Sequence, residues 1–230
     1  MRRIRTDPSF ERVIGLGRTT RPAFDLTEED TIEAAASFAS AEGELDLVIN
    51  ATGFLHDQRQ APEKSWKAIS AASMSRAFAL NAIGPALIMK HWLPLLPRRK
   101  RAVFATLSAR VGSIGDNHLG GWYSYRASKA ALNQLVRTAA IELARTHPQA
   151  ICVALHPGTV ETQLSAPFAK QHLGIQSPNQ AAARLIDVVA RLTPRDSGGF
   201  FDNLQGGAIV IAIDARPSLK PMQAHRSETA

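Results

Sequence analysis

Continuous apolar stretches alternate with helically periodic stretches along most of the chain. Four apolar stretches predict strands, since a strand buried on both faces needs no polar alternation: ERVIGLG, LDLVINATG, RAVFATLS and AICVALH. Periodic segments predict the helices TEEDTIEAAASFASAEG (with Thr27 as N-cap and Gly43 near its end), MSRAFALNAIGPALIMKHWLPLL, SYRASKAALNQLVRTAAIELAR and SPNQAAARLIDVVARL. This alternation predicts an α/β fold, a doubly wound three-layer sandwich with a mostly parallel sheet.

Chain length and composition favour a single globular domain. The 230 residues are 45% hydrophobic and 20% charged, enough for one well-filled core. We predict one domain over residues 1–213, in which GAIVIAID could be a final strand, and a polar, disordered tail over 214–230. Cys152 is the only cysteine, so no disulfide can form within the chain, and a reducing, cytoplasmic compartment is expected.

The distribution of charge argues against a nucleic acid partner, and the length of the apolar runs argues against a membrane span. A net charge of +7 could indicate nucleic acid binding, but the basic residues are scattered and form no stripe with interleaved aromatic residues. The longest apolar runs, such as AIVIAI, are too short to cross a bilayer. We therefore expect neither a nucleic acid partner nor a membrane span, and we expect no metal site.

Polar residues and glycines gather where the predicted strands end. Residues 50–53, 106–109 and 156–162 each follow a strand, and Asn81 lies midway along an intervening helix. In an open α/β sheet, ligands bind outside the carboxyl ends of the strands. These segments are therefore the candidate binding residues.

Tyr125 and Lys129 stand four residues apart in a predicted helix and so share one face. A phenol with a pKa near 10 exchanges protons poorly at neutral pH, whereas a nearby cation stabilises the phenolate and lowers that pKa. The spacing favours an acid/base tyrosine. It also occurs in ordinary surface helices, so the pair alone does not establish one.

Taken in order, these five motifs resemble the short-chain dehydrogenase/reductase family over roughly residues 11–200. The run SARVGSIGDNHLGGWYSYRASKAALN resembles the branch of sniffer-type carbonyl reductases and C-factor-like bacterial proteins. The resemblance implies a Rossmann-like domain and a nicotinamide-dependent oxidoreductase that interconverts a small carbonyl compound and an alcohol. It also implies a homodimer formed through the Asn81 and Tyr125 helices.

The resemblance assigns a role to each catalytic candidate. Tyr125 would exchange the proton with the substrate, and Lys129 would lower the tyrosine pKa and bind the nicotinamide ribose. Asn81 would hold a relay water through its backbone carbonyl. An asparagine that bends an apolar helix is the alternative, and Gly84-Pro85 supports a kink there; both interpretations can hold together.

The cofactor candidates fall into three groups. Asn50, Ala51 and Gly53 belong to a turn, NATG, that resembles the family's approach to the adenine ribose, with Ala51 in place of an asparagine. Arg18, which follows the predicted strand ERVIGLG, favours NADP(H) over the alternative NAD(H), and Asp25 would lie near the adenine. The loop that would meet the nicotinamide carboxamide contains Pro157, Gly158, Val160 and Thr162.

Two departures from the family pattern bear on activity. The position of the family's substrate-binding serine, three residues before Gly112, is Ala109. Ser108 is our preferred replacement, although a one-residue shift reverses the face of a strand. Ser113, or the loss of this donor altogether, are the alternatives.

The second departure is that no TGxxxGxG turn precedes ERVIGLG, and Gly15-Leu16-Gly17 fits that pattern poorly. We interpret MRRIRTDPSF as the tail of a helix and expect the first strand to be absent from this chain. The 230-residue form should then bind NADP(H) far more weakly than a form extended upstream. A non-catalytic binding or signalling protein is the alternative function.

Overall fold

A computed structural model describes residues 10–41, 43–162, 165 and 175–202. It contains a parallel sheet in the order β1-β2-β3-β4. The strands are β1 (Leu47–Asn50), β2 (Ala102–Leu107), β3 (Ala150–His156) and β4 (Phe200–Asp202). The helices are α1 (Glu29–Ala41), α2 (Ala71–Phe78), α3 (Gly84–Trp92), α4 (Tyr123–Thr146) and α5 (Pro178–Arg191). The α/β prediction is confirmed.

The sheet is covered on both faces. Alternate residues of β2 belong to different apolar clusters: Phe104 packs with residues of α1, α3 and α4, whereas Val103 packs with residues of α5. Because successive side chains of a strand point to opposite faces, these two clusters are the interiors of a three-layer sandwich. β2 and β3 are apolar on both faces for this reason.

The helices follow their apolar periodicity. α1 buries Ile32, Ala35, Ala36 and Ala39, which lie on one face at helical spacing. α5 begins with a capping box, in which the Ser177 side chain accepts from the Gln180 amide and the Gln180 side chain accepts from the Ser177 amide. The prediction that Thr27 is the N-cap of α1 is wrong. The helix begins two residues later, at Glu29, and the Thr27 hydroxyl donates to the Asp25 carboxylate (2.7 Å).

The prediction of a strand at ERVIGLG is wrong. Residues 11–17 form no strand; instead the Gly17 carbonyl accepts from the Thr20 and Phe24 amides and closes a turn. A strand needs a ladder partner, and within the described part of the chain β1 pairs with β2 alone. The apolar residues of the segment are still used, since Ile14 and Leu16 pack against the core.

The long apolar helix predicted around Asn81 forms as two α-helices with an irregular turn between them. A π-helical turn over Ala79–Ile83 separates α2 from α3, and Asn81 lies at its centre. Such turns are often found at functional sites. Gly84 allows close approach beside it, because a Cβ there would lie 2.8 Å from that of Leu26.

Several predictions fall outside the described residues. They are the helix tail before residue 10, the possible strand GAIVIAID and the tail over 214–230. The last described strand, β4, lies at the end of the segment RDSGGFFD, which was not among the strands predicted from apolar stretches. No helix in the described ranges is long and apolar enough to cross a membrane.

Candidate active site

Lys129 lies at the centre of the candidate site, at the carboxyl edge of the sheet. Only 2% of the residue is exposed, and its Nζ donates to the carbonyl of Leu107 at the end of β2 (2.9 Å). The same atom lies 5.9 Å from the centre of the Tyr125 ring, and a Cβ added to Gly53 would be 3.6 Å from it. The fold thus brings Tyr125, Lys129 and the turn after β1 together.

The pKa of Tyr125 does not shift in the direction expected from the sequence. Burial raises the pKa of Tyr125 to about 12 and lowers that of Lys129 to about 8. Desolvation disfavours the charged form of each group, and in this structure it exceeds the stabilisation of the phenolate that we expected from the ammonium. Tyr125 is therefore a neutral phenol at physiological pH.

Asn81 ties the turn after β1 to α4. Its fully buried amide accepts from the Phe54 N–H and donates to the Phe54 carbonyl, both at 2.7 Å. It also donates to the Ser128 hydroxyl (3.1 Å), which in turn donates to the carbonyl of Tyr125 (2.9 Å). The side chain thus fixes the relative position of Phe54 and the tyrosine helix.

The NATG turn presents backbone rather than side chains. Asn50 is buried, donates to Thr106 (3.0 Å) and accepts from the amide and hydroxyl of Thr52. Ala51 and Gly53 are exposed. The side chain of Asn50 therefore holds the ends of β1 and β2 together, and the exposed backbone beside it is what a ligand could approach.

The two candidate serines have different partners. The Ser108 hydroxyl donates to Oδ1 of Asn133 on α4 (2.7 Å), whereas the Ser113 hydroxyl accepts from the amide of Asp116 (3.2 Å). Ser108 is 5% exposed. Its hydroxyl proton is thus already engaged by a side chain two turns along the helix from Tyr125.

Arg18, Gly53 and Thr162 line one cleft of about 850 Å³, together with Phe54 and the residues 56–58. Three cofactor candidates from distant parts of the sequence therefore meet at one cavity. Asp25 is not among its lining residues. Hydrogen bonds from the backbone and side chain of Thr27 lower the pKa of Asp25, and the charge of Arg18 adds to that shift.

The loop after β3 is held by Gln176. The side chain of Gln176 donates to the Pro157 carbonyl (2.9 Å), and Val160 forms a bridge with Gln176. Gly158 has a φ of 74°, a left-handed conformation that favours glycine. Contacts with Gln176 therefore hold the loop over 157–162, whose last residue, Thr162, lines the cleft.

The buried carboxylate of Glu63 was not among the predicted site residues. It accepts from the Ser124 amide (3.2 Å) and from the Ser124 hydroxyl, next to Tyr125 at the start of α4. A carboxylate at a helix N-terminus satisfies free N–H groups and interacts favourably with the helix dipole. The two residues are 61 positions apart, so no local motif could have revealed this contact.

A second polar group that the sequence did not indicate lies at the ends of β3 and β4. Asp202 is fully buried, and its carboxylate lies 2.9 Å from Nε of Arg110. Burial lowers the pKa of His156, while the neighbouring Asp202 opposes that shift. Nowhere in the described ranges do three or more His, Cys, Asp or Glu residues form a group that could hold a metal ion.

Comparisons with known proteins identify the family of this chain. A family model described as enoyl-(acyl carrier protein) reductase matches residues 9–190. The 1-hydroxy-2-glutathionyl-2-methyl-3-butene dehydrogenase of Rhodococcus sp. (strain AD45) is 35% identical over 185 residues, 80% of this chain and 77% of that protein. C-signal of Myxococcus xanthus is 37% identical over 132 residues, 57% of this chain and 75% of that protein.

Solved structures give the same result. NADPH-bound carbonyl reductase from chicken fatty liver superposes with a TM-score of 0.69 at 28% identity, over 81% of this chain and 75% of that chain. Carbonyl reductase Sniffer of D. melanogaster, at 22% identity, supports the fold with a TM-score of 0.68 over 79% of this chain and 74% of that chain. The chain belongs to the short-chain dehydrogenase/reductase family of oxidoreductases and is similar to its sniffer and C-factor members.

Proposed function

We propose that this protein is an NADP(H)-dependent reductase of small carbonyl compounds, with Tyr125 as the acid/base. One observation carries the proposal: Lys129 lies beside the Tyr125 ring, donates to the Leu107 carbonyl at the end of β2 and lies close to Gly53 in the turn after β1, at the edge where α/β sheets bind ligands. Burying the Lys129 ammonium is costly, and its hydrogen bond to the Leu107 carbonyl does not by itself require a charged donor.

The proton step follows from the state of the two groups. Because its pKa is about 12, Tyr125 carries its proton at neutral pH and can donate it to a carbonyl oxygen. Lys129, with a pKa of about 8, is then mostly an ammonium that stabilises the resulting phenolate. A bound nicotinamide would supply the hydride. In the oxidative direction, Tyr125 would have to lose its proton first, so reduction is favoured.

The residues at the cleft fit a phosphorylated dinucleotide. The exposed Arg18 places a cation on its wall, and the backbone at Ala51 and Gly53 is open to a ribose. The loop containing Pro157, Gly158, Val160 and Thr162 would bind the nicotinamide end. The structure of the chicken carbonyl reductase contains NADPH, which supports NADP(H) as the cofactor of this chain.

Asn81 and Ser108, the remaining catalytic candidates, would position other groups or the reacting oxygen. Asn81 would keep the turn after β1 in register with the tyrosine helix, and its backbone carbonyl would hold a relay water. Ser108 would donate a second hydrogen bond to the reacting oxygen. That role requires its proton to leave Asn133.

Replacement of Tyr125 by phenylalanine tests the proposal. The Tyr125→Phe variant of the full-length protein keeps the ring but loses the proton, so reduction of a panel of aldehydes and ketones with NADPH should fall at least about 10²-fold. NADPH affinity and the circular dichroism spectrum should stay unchanged. Lys129→Ala should be comparably damaging. Turnover retained in Tyr125→Phe would contradict the mechanism.

We further propose a cytoplasmic homodimer. Ile83 and Ile141, on the two helices expected to pair, are 55% and 50% exposed. A second copy would remove them from water. Sedimentation of the protein at micromolar concentration should give twice the chain mass, and a monomer would contradict this proposal.

A non-catalytic binding or signalling protein is the second candidate. It is favoured by the similarity to the protein named C-signal and by the engagement of Ser108 with Asn133. This candidate predicts that the full-length protein binds NADPH but reduces no compound of the panel. The same assay therefore separates the two functions.

A further inference from the structure

Ser108 and Asn133 form an isolated polar contact between β2 and α4. The Ser108 hydroxyl donates to Oδ1 of Asn133 at 2.7 Å. The other end of the Asn133 amide, Nδ2, is buried and makes no hydrogen bond with any residue in the described ranges. A buried amide group with no partner is unfavourable, so this orientation of Asn133 leaves one of its two ends unsatisfied.

The two ends of the amide have opposite effects on the serine. When Oδ1 faces Ser108, the serine must donate to it, and its proton is withheld from any other acceptor. When the amide rotates by a half turn, Nδ2 donates to the serine oxygen instead. The serine proton is then free to point toward a substrate oxygen. Nδ2 gains a partner and Oδ1 loses its own, so each orientation leaves one end of the amide unsatisfied.

The surrounding structure favours rotation of the amide over movement of the backbone. Gly112 packs directly on α4, since a Cβ there would lie 2.8 Å from the carbonyl carbon of Lys129 and 3.0 Å from Nδ2 of Asn133. Tyr125, Lys129 and Asn133 recur every four residues along α4 and so lie on one side of it. Asn133 therefore lies one turn beyond the proposed catalytic pair.

We propose that Asn133 is a positioning residue whose amide orientation decides whether Ser108 can donate a hydrogen bond to the reacting oxygen. This inference rests on the proposed reductase function. It identifies Ser108 as a conditional donor: Asn133 withholds its proton in the orientation described here and releases it when the amide has rotated. No bond is made or broken at Asn133.

Aspartate at position 133 gives the sharpest test. Asn133→Asp has nearly the same shape, but an ionised carboxylate can only accept, so it would hold the Ser108 proton permanently. The reduction of 4-nitrobenzaldehyde by NADPH in the full-length protein should then lose about as much kcat as in Ser108→Ala, roughly 10²-fold. The double variant should lose no more than either single variant. Gln134→Glu, the same change on the exposed side of the helix, is the matched control and should have no effect.

The pH profile separates positioning from a merely structural role. A protonated carboxyl can donate to the serine oxygen, so Asn133→Asp should recover activity as the pH falls through the pKa of the new carboxyl. Asn133→Ala neither holds the proton nor supplies a donor, and its loss should be less than tenfold and independent of that titration. Equal, pH-independent losses in both variants, with lower melting temperatures, would overturn the inference.

A measurement on the unaltered protein covers the case in which the aspartate variant does not fold. With asparagine labelled by ¹⁵N and Asn133→Ala used for assignment, NADP⁺ plus 4-nitrobenzaldehyde should shift the Asn133 side-chain amide protons downfield. No shift would overturn the inference. If Ser108→Ala keeps full activity while Tyr125→Phe loses it, the inference fails but the reductase proposal stands. If Tyr125→Phe keeps activity, the proposed function itself fails.

Discussion

The two sides of the candidate site are built in different ways. On the side proposed to bind the nicotinamide, Asn81, Ser108 and Lys129 are all nearly or fully buried, and each bonds to a residue on another element of the fold. On the side proposed to bind the adenine, Arg18 and Gly53 are exposed. Polar groups with several tertiary partners have one position, whereas an exposed side chain has many rotamers to lose when a ligand orders it.

This contrast predicts where each kind of mutation acts. Changes on the buried side should alter both the stability of the fold and the chemistry, because the same hydrogen bonds serve both. Changes on the exposed side should alter ligand affinity alone, since little of the folded structure depends on them. The following substitutions test that contrast, beginning with the largest expected effect.

Asn81→Ala should lower the free energy of unfolding by about 3 kcal/mol. It removes the partners of the buried N–H and carbonyl of Phe54 and one bond to Ser128, and buried polar groups left unpaired cost roughly 1–3 kcal/mol each. Urea denaturation measures the change. Ser128→Ala, which removes only one of these contacts to Asn81, is the control and should cost about 1 kcal/mol. Equal stability of the wild type and Asn81→Ala would refute the buried-side argument.

Lys129 should make stability depend on pH in a defined direction. Burial lowers its pKa from 10.5 to about 8, so between these values the unfolded chain binds a proton that the folded chain does not. Stability due to this group therefore rises with pH across that window, by about 3 kcal/mol in total.

The Lys129→Met variant isolates this effect because it has no proton to exchange. The unfolding free energy of the wild type minus that of Lys129→Met should increase from pH 8 to pH 10.5. The subtraction removes the titration of Tyr125 and Cys152, whose raised pKa values act in the opposite direction. A flat difference would show that the ammonium is not buried.

Glu63→Gln should cost roughly 2 kcal/mol of stability and lower kcat. The buried carboxylate holds the first turn of α4, so its loss weakens charge-assisted bonds to Ser124, next to the proposed catalytic residue Tyr125. Glu44→Gln is the matched control. It removes a carboxylate that pairs with Lys100 at the surface and away from the cleft, where solvent screens the ion pair, so its effect on stability and kcat should be small. Similar losses in both variants would remove the distinction between buried and exposed carboxylates.

Arg18→Ala should affect ligand binding alone. We expect a rise of about tenfold in the Kd for NADPH, equivalent to about 1.4 kcal/mol, with NADH affinity and melting temperature unchanged. Lys67→Ala, which removes an exposed cation away from the cleft, controls for net charge. Calorimetric titration of both dinucleotides measures the effect. Equal weakening of NADPH and NADH would show that Arg18 does not select the adenine phosphate.

Prediction from the sequence succeeded where periodicity and spacing were sufficient. β2 and β3 were predicted almost residue for residue, since their apolar runs are buried on both faces. It failed at ERVIGLG, which has the composition of a strand but no described neighbour with which to pair. Composition shows that a segment can enter a sheet, but a ladder partner decides whether it does.

The sequence by itself determined the α/β class, the alternation of elements and the position of Tyr125 and Lys129 on one helical face, because these depend on local periodicity. Only the tertiary structure decided what surrounds them. Burial raises the pKa of Tyr125 instead of lowering it, Asn133 holds the Ser108 proton, and Glu63 anchors the start of α4. The last two effects are contacts between residues far apart in the chain, and the first depends on exclusion of water by the whole fold. None of the three has a local signature in the order of amino acids.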